Sequence, residues 1–118
     1  MTNILRNSAI LFIVLLLSAC STVGVKMGRD FDVDGFASRV EQGVTKQIDI
    51  RAWLGEPSSV GASLATDGER LDEWVYYFAE GELSDLSMTK VKILQIKFDK
   101  QGAVRSYDWS ASKQQPVN

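Results

Sequence analysis

The stretch Leu94-Gln95-Ile96-Lys97-Phe98-Asp99-Lys100-Gln101-Gly102-Ala103-Val104 decides the architecture. Leu94, Ile96 and Phe98 share one face of a strand, with Ile93, Gln95 and Lys97 on the other. Asp99 to Gly102 then supplies turn residues, so the chain doubles back as an antiparallel hairpin. The return strand, Ala103 to Trp109, has Val104 on one face but Tyr107 and Trp109 on the other. Its register is therefore open between a regular strand and one carrying a bulge. Upstream, Trp74, Tyr76 and Phe78 alternate with Val75, Tyr77 and Ala79 in what reads as a central strand, and Ser58 to Ala65 forms a weaker one.

Before Ser58 the period changes from two to that of a helix. Val33, Phe36, Ala37, Val40 and Val44 line one helical face, with Asp32 as N-cap and Gly43 near the end. Thr45 then caps a second helix over Lys46 to Leu54, whose Ile50, Trp53 and Leu54 share a face, followed by Gly55 and Pro57 as stop signals. Two helices followed by three or four antiparallel strands predict an α+β domain over residues 32–109, its helices covering one sheet face.

The chain opens with one positive charge, Arg6, and then runs apolar from Ala9 to Leu17. That run is too short to span a bilayer, which takes roughly 20 apolar residues, and has the layout of a secretion signal over residues 1–19. Leu17-Ser18-Ala19-Cys20 resembles a bacterial lipobox, which implies cleavage before Cys20 and attachment of an S-diacylglycerol and an N-acyl chain, palmitate among them, to that residue. More than one acyl chain makes anchoring effectively permanent. Ser21 follows where an Asp would retain a lipoprotein at the inner membrane, so the expected destination is the periplasmic face of the outer membrane. Residues 20–31 read as the lipidated Cys and a tether. Residues 110–118 are polar and aperiodic and read as a disordered tail.

Composition excludes several classes of function. The 118 residues contain no His, which removes His-based general bases, Ser/His and Cys/His arrangements and His metal sites. A single Cys excludes an intramolecular disulfide and a thiolate zinc cluster. Removing residues 1–19 takes away one base and no acid, moving the net charge from −2 to −3, with no general attraction to nucleic acid. Asp72, Glu73, Glu80, Glu82 and Asp85 could place carboxylates in pairs, but they sit in or beside loops without a cleft signal, and a solvated acidic surface is the simpler reading. The expected chain is not an enzyme, holds no metal and takes no small-molecule substrate.

Three stretches in this order resemble the SmpA/OmlA family, the BamE-like small lipoproteins of the Gram-negative outer membrane. They are Gly43 to Pro57, with Gly43, Thr45, Leu54, Gly55 and Pro57; Trp74-Val75-Tyr76, with Trp74 and Tyr76; and Leu94 to Val104, with Phe98, Asp99 and Gly102. The resemblance implies two helices on a three-stranded antiparallel sheet, the BamE/BLIP-like build. It also implies a non-enzymatic accessory subunit of the machinery that folds β-barrel proteins, steadying contacts between its other subunits. Assembly-subunit members carry an extended Tyr/Pro segment after the lipid cysteine, whereas here Gly28-Arg29-Asp30-Phe31-Asp32 occupies that region. Proteins that inhibit β-lactamase share the two-helix-on-sheet build, so an inhibitor or regulator of an envelope hydrolase is the second expectation, and a stress-related envelope lipoprotein the third.

For docking, the candidates are Trp109 and Tyr107 on one sheet face, Lys97 on the basic strand, and Phe31 near the tether. Trp53 and Trp74 are expected in the core. Asp67 to Asp85 holds seven acids against Arg70, and Lys90 to Arg105 five bases against Asp99. Two readings stay open: these groups pair across adjacent strands, or the basic strand docks on lipid headgroups or an acidic partner.

Overall fold

A computed structural model describes residues 2–17, 23–82 and 87–113. The chain order is α1 (Thr2–Leu17), β1 (Gly24–Gly28), α2 (Val33–Arg39), α3 (Gln47–Leu54), β2 (Ser59–Leu64), β3 (Arg70–Glu82), β4 (Ser87–Phe98) and β5 (Val104–Lys113). The fold is α+β, with an antiparallel sheet of five strands.

β3 is central, as its two-sided apolar pattern predicts. Its 13 residues are long enough to take two short strands end to end along one edge. β2 pairs with its first half, Ser59 opposite Val75, and β1 with its second, Gly28 opposite Phe78. β4 covers the other edge and β5 follows it.

The hairpin from β4 to β5 turns on Asp99, whose Oδ1 accepts from the N–H of Gln101 at 2.9 Å and of Ala103 at 3.0 Å. Gly102 supplies the positive φ of 77°. The open register of the return strand is resolved by a bulge. Phe98 pairs with Val104 but Lys97 with Ser106, so Arg105 is the extra residue. That single insertion puts Val104, Tyr107 and Trp109 on one face.

Asp32 caps α2 through Oδ1, which accepts from Gly35 N at 2.9 Å. The helix stops at Arg39, earlier than its apolar pattern suggests, because Thr45 Oγ1 accepts from Glu41 N at 2.8 Å and closes a turn. Val44, expected on the core face, is therefore exposed. Thr45 is not the cap of the second helix either. It is buried, and the segment around it pairs with β5: Gly43 N donates to Val104 O and Val104 N to Thr45 O, both at 2.8 Å. α3 instead starts after Lys46, whose N–H donates to the Asp49 carboxylate at 3.0 Å, and ends at Gly55 with φ 79°.

The core lies between α2, α3 and one sheet face. Ile50, Leu94, Ile96, Phe98 and Val104 are fully buried, joined by Phe31, Val33, Phe36, Leu54, Trp74, Tyr76 and Phe78. Burying each large apolar side chain contributes about 1.5–3 kcal/mol. Trp74 meets Phe98 edge-on at 4.9 Å between centroids, and Trp53 is partly buried against the cluster.

Tyr76 ties the two layers together. Its hydroxyl donates to Gly55 O at 2.8 Å, and burial pushes its pKa up to about 12. An unfolded tyrosine ionises near 10, so the stability linked to this proton is complete below pH 10 and is lost as pH rises from there through about 12. In alkaline melts the wild type is expected to lose stability over that window, whereas Tyr76→Phe should start about 1 kcal/mol lower and decline less steeply. Parallel alkaline slopes would remove Tyr76 as the group responsible.

Two terminal expectations are corrected. The tether is not wholly irregular, since Gly24 to Gly28 forms β1; a strand of five residues with glycine at both ends leaves too little alternation to read. The tail is ordered through Lys113, because β4 extends back to Ser87 and gives Ser110 to Lys113 a partner. Residues 114–118 lie outside the described residues.

Candidate interaction surface

The sheet has one covered face and one left uncovered by α2 and α3. Along β3 the odd positions, Glu73, Val75 and Tyr77, point away from the two helices; β4 adds Val91, Ile93, Gln95 and Lys97, and β1 adds Val25 and Met27 in register. None of these belongs to the core cluster. Met27 is 43% and Ile93 39% exposed, with Val25, Val75, Tyr77 and Val91 half-buried. Ala79, between Met27 and Val91 in the register, is fully buried. The result is an apolar zone toward the β1 end and a polar zone, Glu73, Gln95 and Lys97, toward the other. In the polar zone the Gln95 amide donates to the Glu73 carboxylate, and Lys97 stands opposite Glu73.

The four candidate docking residues do not form one surface. Trp109 is 50% exposed and stacks on Tyr107 at 5.8 Å. Tyr107 in turn meets Phe36 edge-on at 5.2 Å, so this pair continues the helix-covered face to the β5 edge. Lys97 is half-buried on the opposite face. Phe31 is a correction: it is 7% exposed and packs on Tyr76, ring centroids 5.7 Å apart. What puts it there is the preceding residue. Asp30 accepts from Lys92 Nζ at 2.8 Å and from Lys90 Nζ at 3.1 Å, and Lys92 also donates to Phe31 O at 2.9 Å. This clamp was not legible in the sequence, because its members lie 60 and 62 residues apart.

The basic segment is largely neutralised. The hydrogen bond from Lys92, followed by that from Lys90, holds the Asp30 carboxyl below the usual carboxylate range against a partial desolvation. Arg105 pairs with Asp67 at 3.0 Å and with Glu69, joining the basic segment to the acidic one. Asp67 is also held low, first by the Glu69 N–H and then by Arg105. Lys26 pairs with Glu80 at 3.6 Å directly across β1 and β3. Only Arg105 is matched by the acidic segment; Lys90 and Lys92 are matched by Asp30 from the tether instead, and with all three paired the case for a basic docking strand is weaker.

The residues quoted for the resemblance serve turns and packing. Gly43 and Gly55 hold positive φ, Leu54, Trp74, Tyr76 and Phe98 are buried, Pro57 follows α3, and Asp99 with Gly102 makes the hairpin. Among the described residues no three His, Cys, Asp or Glu side chains converge as metal ligands. One depression of about 380 Å³ lies beside Asp30, Phe31, Asp32 and Lys92. Ser18, Ala19 and Cys20 lie outside the described residues, and Leu17 ends α1. Ile4, Leu5, Ile10, Leu11 and Phe12 of α1 are all exposed, and no described helix is long and apolar enough to cross a membrane. Compared with known proteins, the chain matches no family model, no curated sequence and no solved structure.

Proposed function

We propose that this chain is a lipid-anchored accessory protein of the Gram-negative outer membrane, BamE-like in build, acting through protein-protein contact in barrel assembly or envelope integrity. The observation that carries the reading is the sheet face left uncovered by α2 and α3, with Val25, Met27, Val75, Tyr77, Val91 and Ile93 on it. Apolar residues grouped on a face that no helix covers are the kind of surface on which soluble domains bind partners. The apolar exposed α1 supports its removal with the signal, leaving Cys20 to carry the acyl chains and β1 about four residues beyond it. A tether that short confines the domain to the membrane face. The same uncovered face fits the second reading, an inhibitor of an envelope hydrolase.

The test is deletion of the gene with two readouts, alongside the intact mass of the membrane-extracted protein. Accessory function gives reduced barrel-protein levels and a mass showing loss of residues 1–19 with acylation of Cys20. Normal barrel levels, with a hydrolase activity that rises on deletion and is lost on adding back stoichiometric protein, select the inhibitor. An uncleaved, unmodified chain contradicts the anchor in both.

A further inference from the structure

β2 pairs only with β3, so among the described residues its outer edge has no partner. Native edge strands are normally protected by charge, proline, bulges or a covering element. β2 has none within it: Ser59-Val60-Gly61-Ala62-Ser63-Leu64 is uncharged, contains no proline and keeps an unbroken register with β3. Val60 is 67% and Leu64 75% exposed, and with Ala62 they line one side of the strand.

Hydrogen bonding fixes which residues face outward. Ala65 N donates to Glu69 O at 2.8 Å, so in the alternation of an antiparallel ladder the odd positions bond β3. Val60, Ala62 and Leu64 therefore turn both their N–H and C=O groups to the open edge.

We propose that β2 is a homotypic pairing edge, taking the β2 of a second copy of this chain across a two-fold axis at Ala62. That register sets Val60 against Leu64 of the other copy, twice, and Ala62 against itself, so all three outward residues are paired. The strand lacks any charge that would select an oppositely charged partner or repel its own copy. The nearest flanking acids are already matched, Glu56 by Arg51 at 3.0 Å and Asp67 and Glu69 by Arg105. The two-fold also carries the other copy's β1 to the far end of the joined sheet, where it meets no strand. A contact of one strand pair is smaller than a standard interface, so it depends on the high local concentration that a shared membrane gives.

The test is thiol cross-linking of the full-length protein in its own membrane with a short bis-maleimide, using Ala62→Cys. The unsubstituted protein is the control and reports whether Cys20 itself reacts, so a failed anchor and a failed pairing are read separately. Ala62→Cys is expected to give a covalent dimer, and Ser112→Cys on the far β5 edge is not. Adding Val60→Lys and Leu64→Lys, both at exposed positions, should cut the dimer about tenfold or more without lowering the melting temperature. No dimer from Ala62→Cys, equal dimer from Ser112→Cys, or a yield indifferent to the lysines would each overturn the pairing.

Discussion

Truncating Phe98 to alanine is expected to remove a large share of the domain's folding stability. The side chain is fully buried, closes edge-on against Trp74 and sits at the last position of β4 before the Asp99 turn. Removing a buried phenylalanine costs about 3–5 kcal/mol, through lost transfer energy and the cavity left behind. A domain of this size has a total stability of only about 4–12 kcal/mol. The deficit therefore reaches the whole cooperative unit. Chemical denaturation should show the midpoint collapsing for Phe98→Ala, while Ile93→Ala, on the uncovered face of the same strand, stays within about 1 kcal/mol of wild type. Equal losses at the two positions would mean that the uncovered face is packed as tightly as the core.

Gly28→Ala is expected to detach β1. Gly28 has φ 77°, and a Cβ there would stand 2.2 Å from the backbone oxygen of Tyr77, a contact no side-chain rotation relieves. The left-handed backbone alone costs about 1–2 kcal/mol for a non-glycine residue. Gly43 isolates that part, because its φ is 76° and nothing lies within 4 Å of its Cβ position. Gly43→Ala should lose only this smaller amount. Gly28→Ala adds the overlap with β3, which is relieved only by separating β1 from it. Amide exchange over residues 24–31 should then accelerate strongly while the interior of β4 keeps its protection. Phe31 and the Asp30 clamp lie three and two residues on, so the Phe31 contact with Tyr76 weakens in the same variant. Indistinguishable exchange in the two variants would show that β1 is not held by this pairing.

Legibility in the sequence followed the range of the interactions. Asp32, Gly55 and the Asp99 to Gly102 turn act within a few residues, and each was readable with its role. Alternation in Trp74 to Ala79 and Leu94 to Phe98 gave the two inner strands and their buried faces, because period two needs no knowledge of the partner. Thr45 misled: a hydroxyl before a helix reads as a cap, yet this one turns back to Glu41 and its backbone joins β5, about 60 residues away. Phe31 misled similarly, since only the fold brings Lys90 and Lys92 to Asp30. The docking candidates scattered for a related reason. Trp109 and Tyr107 stack on each other, but the Arg105 bulge turns them to the helix side, while the uncovered face is made by Val75, Tyr77 and Ile93. The apolar residues on both sides of β3 were the signal for that second face. The weak alternation at Ser59 to Leu64 was visible, but the openness of its outer edge depends on β1 and β2 sharing one side of β3.

Photo-crosslinking in the native membrane shows whether a protein partner binds the uncovered sheet face. A photoactivatable residue at Ile93 places the probe on that face; one at Ile48, 74% exposed on α3, places it on the helix layer. A discrete adduct with an outer-membrane protein is expected from Ile93, with little or none from Ile48. Adducts from Ile48 alone, or none from Ile93, would contradict binding at the uncovered face.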